Sequence, residues 1–270
     1  MKDQPNPDVP LISGRALGSA RRLRRRKARA ETGLFLAEGA QVVREALRCP
    51  GVVVRLVVDD PQRHGELIPV AAGVEVVRAR PEDLRALCDT VTPQGVVAVC
   101  RWPRARLAAV QNPRLVVICA QVRDPGNAGT VVRCADAFGA DAVVLTRGSV
   151  DVTNPKTVRA TVGSLFHLPV VTDVDLGETI EWAHAQNMTV LAADGGGVPL
   201  DELDARGELA RPTAWLMGNE AWGLPAEHLA AADQVAAVPM WGRAESLNLS
   251  TAAAICLYAS ASAQRRSPEQ

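Results

Sequence analysis

Leu216-Met217-Gly218-Asn219-Glu220-Ala221-Trp222-Gly223-Leu224 and Val238-Pro239-Met240-Trp241-Gly242-Arg243-Ala244-Glu245-Ser246-Leu247-Asn248-Leu249-Ser250 decide the fold of this 270-residue chain. Apolar Ala214-Trp215-Leu216-Met217 stops at Gly218, and the run from Val235 to Val238 stops at Pro239. Each reads as a buried strand followed by a loop of small and polar residues. Two strand ends carrying Gly, Asn, Glu, Ser and Asn mark the edge at which open α/β sheets bind ligands. Glycine there lets a ligand approach the backbone.

Strand and helix signals alternate upstream of this pair. Leu115 to Ala120 reads as a buried strand and Asp124-Pro125-Gly126-Asn127-Ala128-Gly129 as a polar, Gly-rich loop. A helix from Thr130 to Phe138 is capped by Gly139, and Ala142 to Leu145 is the next strand. A helix near Lys156–Gly163, a strand Leu168 to Thr172, a helix Leu176 to Gln186 and a strand Thr189 to Ala192 follow, and a helix from Ser250 to Ala263 closes the unit. That alternation predicts an α/β fold. The front of the chain predicts a second, smaller α/β module: strands at Leu34–Ala37, Val52–Val58, Val74–Val77 and Val96–Val99, with helices at Ala40–Leu47 and from Pro81. The expected organisation is a disordered N-terminus at 1–13, a small domain at 14–100, a linker at 101–113, a larger domain at 114–264 and a flexible tail at 265–270.

Composition limits the function classes. Hydrophobic residues make up 47% of the chain, enough for a core, yet no predominantly apolar run is long enough to span a membrane. No apolar signal core opens the chain, so a cytoplasmic protein is expected. Six dispersed cysteines in mostly apolar surroundings read as buried thiols, and with four scattered histidines they suggest neither a disulfide frame nor a metal site. The net charge is zero but uneven: residues 1–30 carry nine Lys/Arg against two acids. Arg21, Arg22, Arg24, Arg25, Arg26, Lys27 and Arg29 repel one another unless acids or phosphates neutralise them, which favours a nucleic-acid partner over a merely solvated helix face.

Asp124 to Gly129 sets free backbone N–H groups at a helix start, an arrangement that favours anions and is equally a tight turn with a cap. It has neither the Lys-Ser/Thr of a P-loop nor a three-glycine dinucleotide fingerprint, which excludes a nucleotide-dependent oxidoreductase. Arg133, in the run Val131-Val132-Arg133-Cys134-Ala135, needs a partner: a structural carboxylate, a phosphate or a reacting hydroxyl.

Three ordered motifs now add up. Asp124–Gly129 through Arg133, Met217–Leu224, and Val238-Pro239-Met240 with Ser246–Ser250 resemble the SpoU/TrmH family of SPOUT-type RNA ribose methyltransferases, over about residues 114–262. The front module, with Arg24–Arg29 and Phe35-Leu36-Ala37-Glu38-Gly39, resembles the ribosomal-protein-like RNA-binding domain of members that act on ribosomal RNA, the thiostrepton-resistance type and its housekeeping relatives among them. The resemblance implies a C-terminal α/β domain with a deep trefoil knot, a homodimer formed through that domain, and S-adenosylmethionine as cofactor. It assigns the cofactor to Leu216, Gly218, Asn219, Glu220, Met240, Ser246, Asn248 and Leu249, and the active site to Asn127, Arg133, Glu220 and Asn248. RNA contacts fall to Arg22, Arg24, Arg25, Arg26, Lys27, Phe35 and, for a phosphate of the target nucleotide, Arg159.

The implied reaction is attack of a ribose 2′-OH on the activated methyl, with ribosomal (23S) RNA as the expected substrate. Transfer RNA methylation and a non-catalytic RNA-binding role are the alternatives. The proton of the hydroxyl passes either to Arg133 or, since a guanidinium is effectively always protonated, to an RNA phosphate while Arg133 stabilises the alkoxide. Trp215, Trp222 and Trp241 are expected to pack in the core or a dimer interface more readily than on a base.

Overall fold

The computed structural model describes residues 9–68, 70, 71 and 73–266. The disorder expected at the extreme N-terminus and the fraying expected beyond Arg266 concern residues 1–8 and 267–270, which lie outside the described residues. The chain divides into two compact units. One comprises residues up to Pro103 together with Asp151–His167; the other comprises Arg104–Val150 and the chain from Leu168 onward. Residues 151–167, expected within the larger domain, therefore pack with the front module.

The first unit holds a four-stranded sheet in the order β1-β4-β2-β3, built from β1 (Leu34–Glu38), β2 (Val53–Val58), β3 (Glu75–Arg78) and β4 (Val96–Arg101). β4 runs antiparallel to both neighbours, and β2 and β3 are parallel. One face carries Leu36, Val57, Val77, Val97 and Val99, covered by Leu17 and Ala20 of α1 (Gly14–Arg22) and by Leu84 and Leu87 of α4 (Pro81–Leu87). α3 (Ala40–Arg48) and α6 (Pro155–Thr161) also pack on the sheet strands. Residues 10–13 are ordered, against expectation: Arg78 donates to Pro10 O, Ile12 donates to Arg78 O, and Ser13 caps α1.

A buried ion pair fixes the corner between α1 and α2 (Arg26–Thr32). Arg29 is 5% exposed. Its Nη1 donates to Leu23 O and Arg24 O, both at 2.9 Å, and its Nε and Nη2 donate to Asp151 Oδ2 at 3.0 and 2.6 Å. The other oxygen, Oδ1, accepts from the Thr153 backbone and hydroxyl. Arg29 is thus a structural residue in an otherwise exposed basic stretch.

The second unit is a six-stranded parallel sheet in the order β10-β8-β9-β5-β6-β7. Its strands are β5 (Leu115–Cys119), β6 (Ala142–Thr146), β7 (Val170–Val174), β8 (Thr189–Pro199), β9 (Thr213–Met217) and β10 (Gln234–Ala237). β5, β6 and β9 are buried along their whole length, as strands covered on both faces must be. α7 (Leu176–Ala185) supplies Ile180, Ala183 and Trp182 to one core layer, with Ile118, Val144 and Leu216. α10 (Leu249–Arg266) packs on β9 and on α5 (Pro125–Phe138), and buried Trp215 Nε1 donates to Ser260 Oγ at 3.0 Å. The expected linker is partly built in: Ala105 bridges Val171, and Leu107 and Val110 join this core. Arg265 and Arg266, expected in a flexible tail, are helical, and Arg266 pairs with Asp204 at 2.7 Å. No described helix is long and apolar enough to cross a membrane. All six cysteines are free. Burial pushes the thiols of Cys88, Cys119 and Cys256 up to about 12.

Burial opposes ionisation of Asp151, but hydrogen bonds from Thr153 and Arg29 and the charge of Arg29 outweigh it and hold the carboxyl below its usual range. A depressed folded-state pKa stabilises the protein above the unfolded value of about 3.9, and that contribution is lost as pH falls through the folded value. Asp151→Asn is therefore expected to lower stability near pH 7 by roughly 2–4 kcal/mol, the cost of stranding a buried arginine. Urea unfolding at a series of pH values checks this: the gap between variant and wild type is constant at neutral pH and narrows below about pH 4.

Candidate active site

The order of the parallel sheet reverses at β5, whose neighbours are β6 and β9. Ligands of open α/β sheets sit at the carboxyl ends of the strands beside such a reversal. At that edge a cavity of about 390 Å³ is walled by four segments. Met217 to Ala221 ends β9 and follows it, Ala193 to Gly195 leaves the sheet midway along β8, Ala236, Val238 and Met240 lie at and beyond the end of β10, and Glu245 to Leu249 leads into α10.

The β9 loop is closed by reciprocal backbone bonds, Asn219 N to Gly223 O and Gly223 N to Asn219 O, both at 2.9 Å. Asn219, 6% exposed, donates from Nδ2 to Gln121 O at 2.6 Å and accepts from Ala221 N. A Cβ at Gly218 would lie 2.4 Å from the Gly223 carbonyl carbon, so only glycine closes this turn. β8 pairs with β10 on either side of a register shift between Val235 and Ala236, and residues 193–197 bulge between the two paired stretches. At Gly197 an added Cβ would stand 2.5 Å from the Val235 carbonyl. Here too the wall of the cavity depends on a missing side chain.

Glu220 ties the loops together. Its carboxylate accepts from Asp124 N at 3.1 Å, Arg123 N at 3.2 Å and Asn127 Nδ2 at 3.3 Å. Asn127 Oδ1 in turn accepts from Asn248 Nδ2 at 3.0 Å. Asn248 Oδ1 caps the start of α10 by accepting from Ser250 N and Oγ. The start of α5, the β9 loop and the start of α10 therefore meet in one chain of hydrogen bonds. The glycines at 126 and 129, expected in a loop, are in the first turns of α5. Asp124 caps that helix by accepting from Asn127 N, and Pro125 occupies its first position.

Of the residues expected at the cofactor, Gly218, Asn219, Glu220, Met240, Ser246, Asn248 and Leu249 line the cavity. Leu216 does not: it is fully buried in the core, and strand alternation turns its neighbour Met217 to the cavity. Sequence reasoning missed Asp194 and Gly195, for which the run Gly195-Gly196-Gly197 was the only signal, and it passed over Glu245. Arg133 is exposed, six residues beyond Asn127 on α5, and forms no ion pair with a carboxylate among the described residues. It joins neither the Glu220 hydrogen-bond chain nor a structural pair.

One expected RNA contact is corrected. Phe35 is completely buried, edge-on to Trp102 and stacked with Phe166, so no base can reach it. Arg159 is half-buried and pairs with Asp89 at 3.0 Å and Glu38 at 3.5 Å. Arg22, Arg24, Arg25, Arg26 and Lys27 are all exposed. The expectation of packed tryptophans holds for Trp215 alone in the core; Trp222 is half-exposed beneath the Arg123 guanidinium, and Trp241 is 91% exposed.

Comparison with known proteins matches residues 114–258 to the SpoU rRNA Methylase family and residues 17–98 to an MRM3-like substrate binding domain. The chain is 38% identical over 241 residues to the 23S rRNA (guanosine(2553)-2′-O)-methyltransferase RlmP of Bacillus subtilis, covering 88% of this chain and 92% of that one. Among solved structures, the AdoMet-bound rRNA methyltransferase from Sinorhizobium meliloti superposes with a TM-score of 0.82 at 31% identity, over 97% of this chain and 98% of the other. The SpoU methyltransferase AviRb from Streptomyces viridochromogenes, in complex with AdoMet, gives a TM-score of 0.83 at 28% identity over 94% and 100% of the two chains.

Gly218→Ala tests the architecture of the cavity. The new methyl group collides with backbone, which cannot swing aside as a side chain would, so stability is expected to drop by about 1–3 kcal/mol. Urea unfolding reads the loss, and a wild-type midpoint would contradict the close approach of the two strands of the turn.

Proposed function

The chain belongs to the SpoU rRNA methylase family, and from that premise we propose that it transfers a methyl group from S-adenosylmethionine to a ribose 2′-OH of ribosomal RNA. The observation that carries this reading is the Glu220–Asn127–Asn248 hydrogen-bond chain beside a cavity suited to the cofactor. The cavity combines apolar Met217, Met240 and Leu249 with the carboxylates of Asp194, Glu220 and Glu245. That donor set suits a ligand with an apolar body and positive charge.

When bound, S-adenosylmethionine supplies a methyl group on a positively charged sulfur. The side chains of this protein then have to align the hydroxyl and manage its proton, since positioning supplies much of the acceleration when the donor is already activated. Glu220 fixes Asn127, and Asn127 fixes Asn248, so neither amide is free to rotate. In this proposal they orient the ribose, and the exposed guanidinium of Arg133 faces the oxygen that becomes negative. A guanidinium retains its proton at working pH. Arg133 therefore stabilises the alkoxide, and an RNA phosphate oxygen takes the proton. Met217, Met240 and Leu249 would hold the donor, whose sulfur–methyl bond would break as the 2′-oxygen takes the methyl group.

The exposed Arg22, Arg24, Arg25, Arg26 and Lys27 in the first unit are assigned to RNA. We assign a homodimer to the second unit, where exposed Ile255 and Tyr258 on α10 offer an apolar face. A knotted C-terminal segment and a place in the cytoplasm complete the reading.

The test is transfer of labelled methyl to purified ribosomal RNA and, separately, to transfer RNA, by wild type and by Arg133→Lys. Label is expected in ribosomal RNA. The lysine variant is expected to lose at least about 100-fold in rate with unchanged cofactor affinity, because an ammonium cannot reproduce the guanidinium fork. Wild-type turnover by Arg133→Lys would remove the role of Arg133, and label confined to transfer RNA would overturn the substrate.

A further inference from the structure

We propose that a recess of about 530 Å³ in the first unit, lined by Arg21, Arg24, Arg25, Asp89 and Asn154, cradles successive phosphates of the RNA backbone, and that the buried Arg29–Asp151 pair is its positioning device. The identity of the polyanion rests on the methyltransferase reading; the anionic character of the ligand rests on the recess itself.

Charge balance is the first argument. Arg21 is 3.5 Å from Asp83 and Arg24 is 3.7 Å from Asp89, both at the surface, where such pairs contribute little. Asp89 is also engaged by Arg159 at the shorter distance of 3.0 Å. Arg25 has no ion-pair partner among the described residues, and neither do adjacent Arg22 and Arg26. The recess therefore carries positive charge that the described residues do not cancel.

Rigidity is the second argument. A solvated basic face needs no fixed shape, yet the corner that carries Arg24 and Arg25 is clamped from below. Arg29 holds the carbonyls of Leu23 and Arg24 while its own charge is neutralised by Asp151. A corner held this way fixes the backbone positions from which the Arg24 and Arg25 side chains reach toward phosphate oxygens.

The remaining lining favours backbone over base. The lining contains no aromatic ring on which a base could stack, and Asn154 adds a neutral side chain whose oxygen caps α6 by accepting from Lys156 N. Contacts of this kind position RNA without reading its sequence.

Binding of a ribosomal RNA transcript, followed by filter retention over a range of KCl concentrations, tests the proposal. Each phosphate contact on a single strand contributes about 0.7 to the slope of log affinity against log salt. Arg24→Ala/Arg25→Ala, exposed and so without consequence for folding, is expected to flatten the slope by about 1.4 and to weaken binding about 10-fold or more at low salt. Arg63→Ala/Arg206→Ala removes the same charge outside the recess and is expected to leave the slope unchanged. Asp151→Asn, assayed where it remains folded, is expected to weaken binding although it makes the protein more positive. A wild-type slope in the Arg24/Arg25 variant, or equal flattening by both double variants, would overturn the cradle. Wild type that binds RNA with the steep slope but transfers no methyl group would instead remove the methyltransferase reading and leave the cradle standing.

Discussion

The carboxylate of Glu220 accepts hydrogen bonds from the backbone of Arg123 and Asp124 and from the side chain of Asn127. Those donors stand at the start of α5, close to a hundred residues earlier in the chain, and the site depends on that one group to join them to the β9 loop. Asn127 passes the constraint to Asn248 and so to the start of α10. A carboxylate has two oxygens and no donor of its own when ionised, so it can gather several N–H groups where an amide could not. The loops at the edge of the second unit are held by side-chain hydrogen bonds and by glycines that allow backbones to touch. The central strands behind them, β5, β6 and β9, are buried along their whole length.

The two units divide the demands of an RNA-modifying enzyme of the SpoU rRNA methylase family. The second concentrates polar groups around a cavity at the reversal of its strand order. The first carries the basic surface, but its sharpest electrostatic feature is hidden: Arg29 is buried, and its partner Asp151 comes from a distant segment of the chain. A cluster of arginines read as uniformly available for RNA therefore separates into exposed members and one that shapes the corner on which they sit.

Much of the architecture was legible because burial on both faces leaves a plain mark. Runs such as Leu115–Cys119 and Ala214–Met217 are apolar without interruption, and the strands end within one or two residues of expectation, except in β8. β8 departs because its second half depends on pairing with β10 beyond a bulge, and register between distant strands is not written in a local window. The start of α5 was misjudged because Gly126 and Gly129 look like loop, whereas the Asp124 cap and Pro125 outweigh their poor helix propensity. Phe35 was assigned to RNA because a strand residue can face either side, and only the packing of Trp102 and Phe166 fixes which. The carboxylate partners of Arg159, Glu38 and Asp89, are not legible for a similar reason, since both are remote in sequence. Gly218, Asn219, Glu220 and Asn248 were legible as a group because strand ends rich in such residues have few purely structural uses.

The most direct test of the account is the chemical position of the transferred methyl group. Ribosomal RNA incubated with the protein and labelled S-adenosylmethionine is cleaved in alkali and the products are separated. Alkaline cleavage requires a free 2′-hydroxyl, so the account predicts one linkage that becomes resistant and carries the label in an intact dinucleotide. Label released with mononucleotides would place the methyl group on a base. That result would contradict the roles given to Asn127, Arg133 and Asn248 at a ribose.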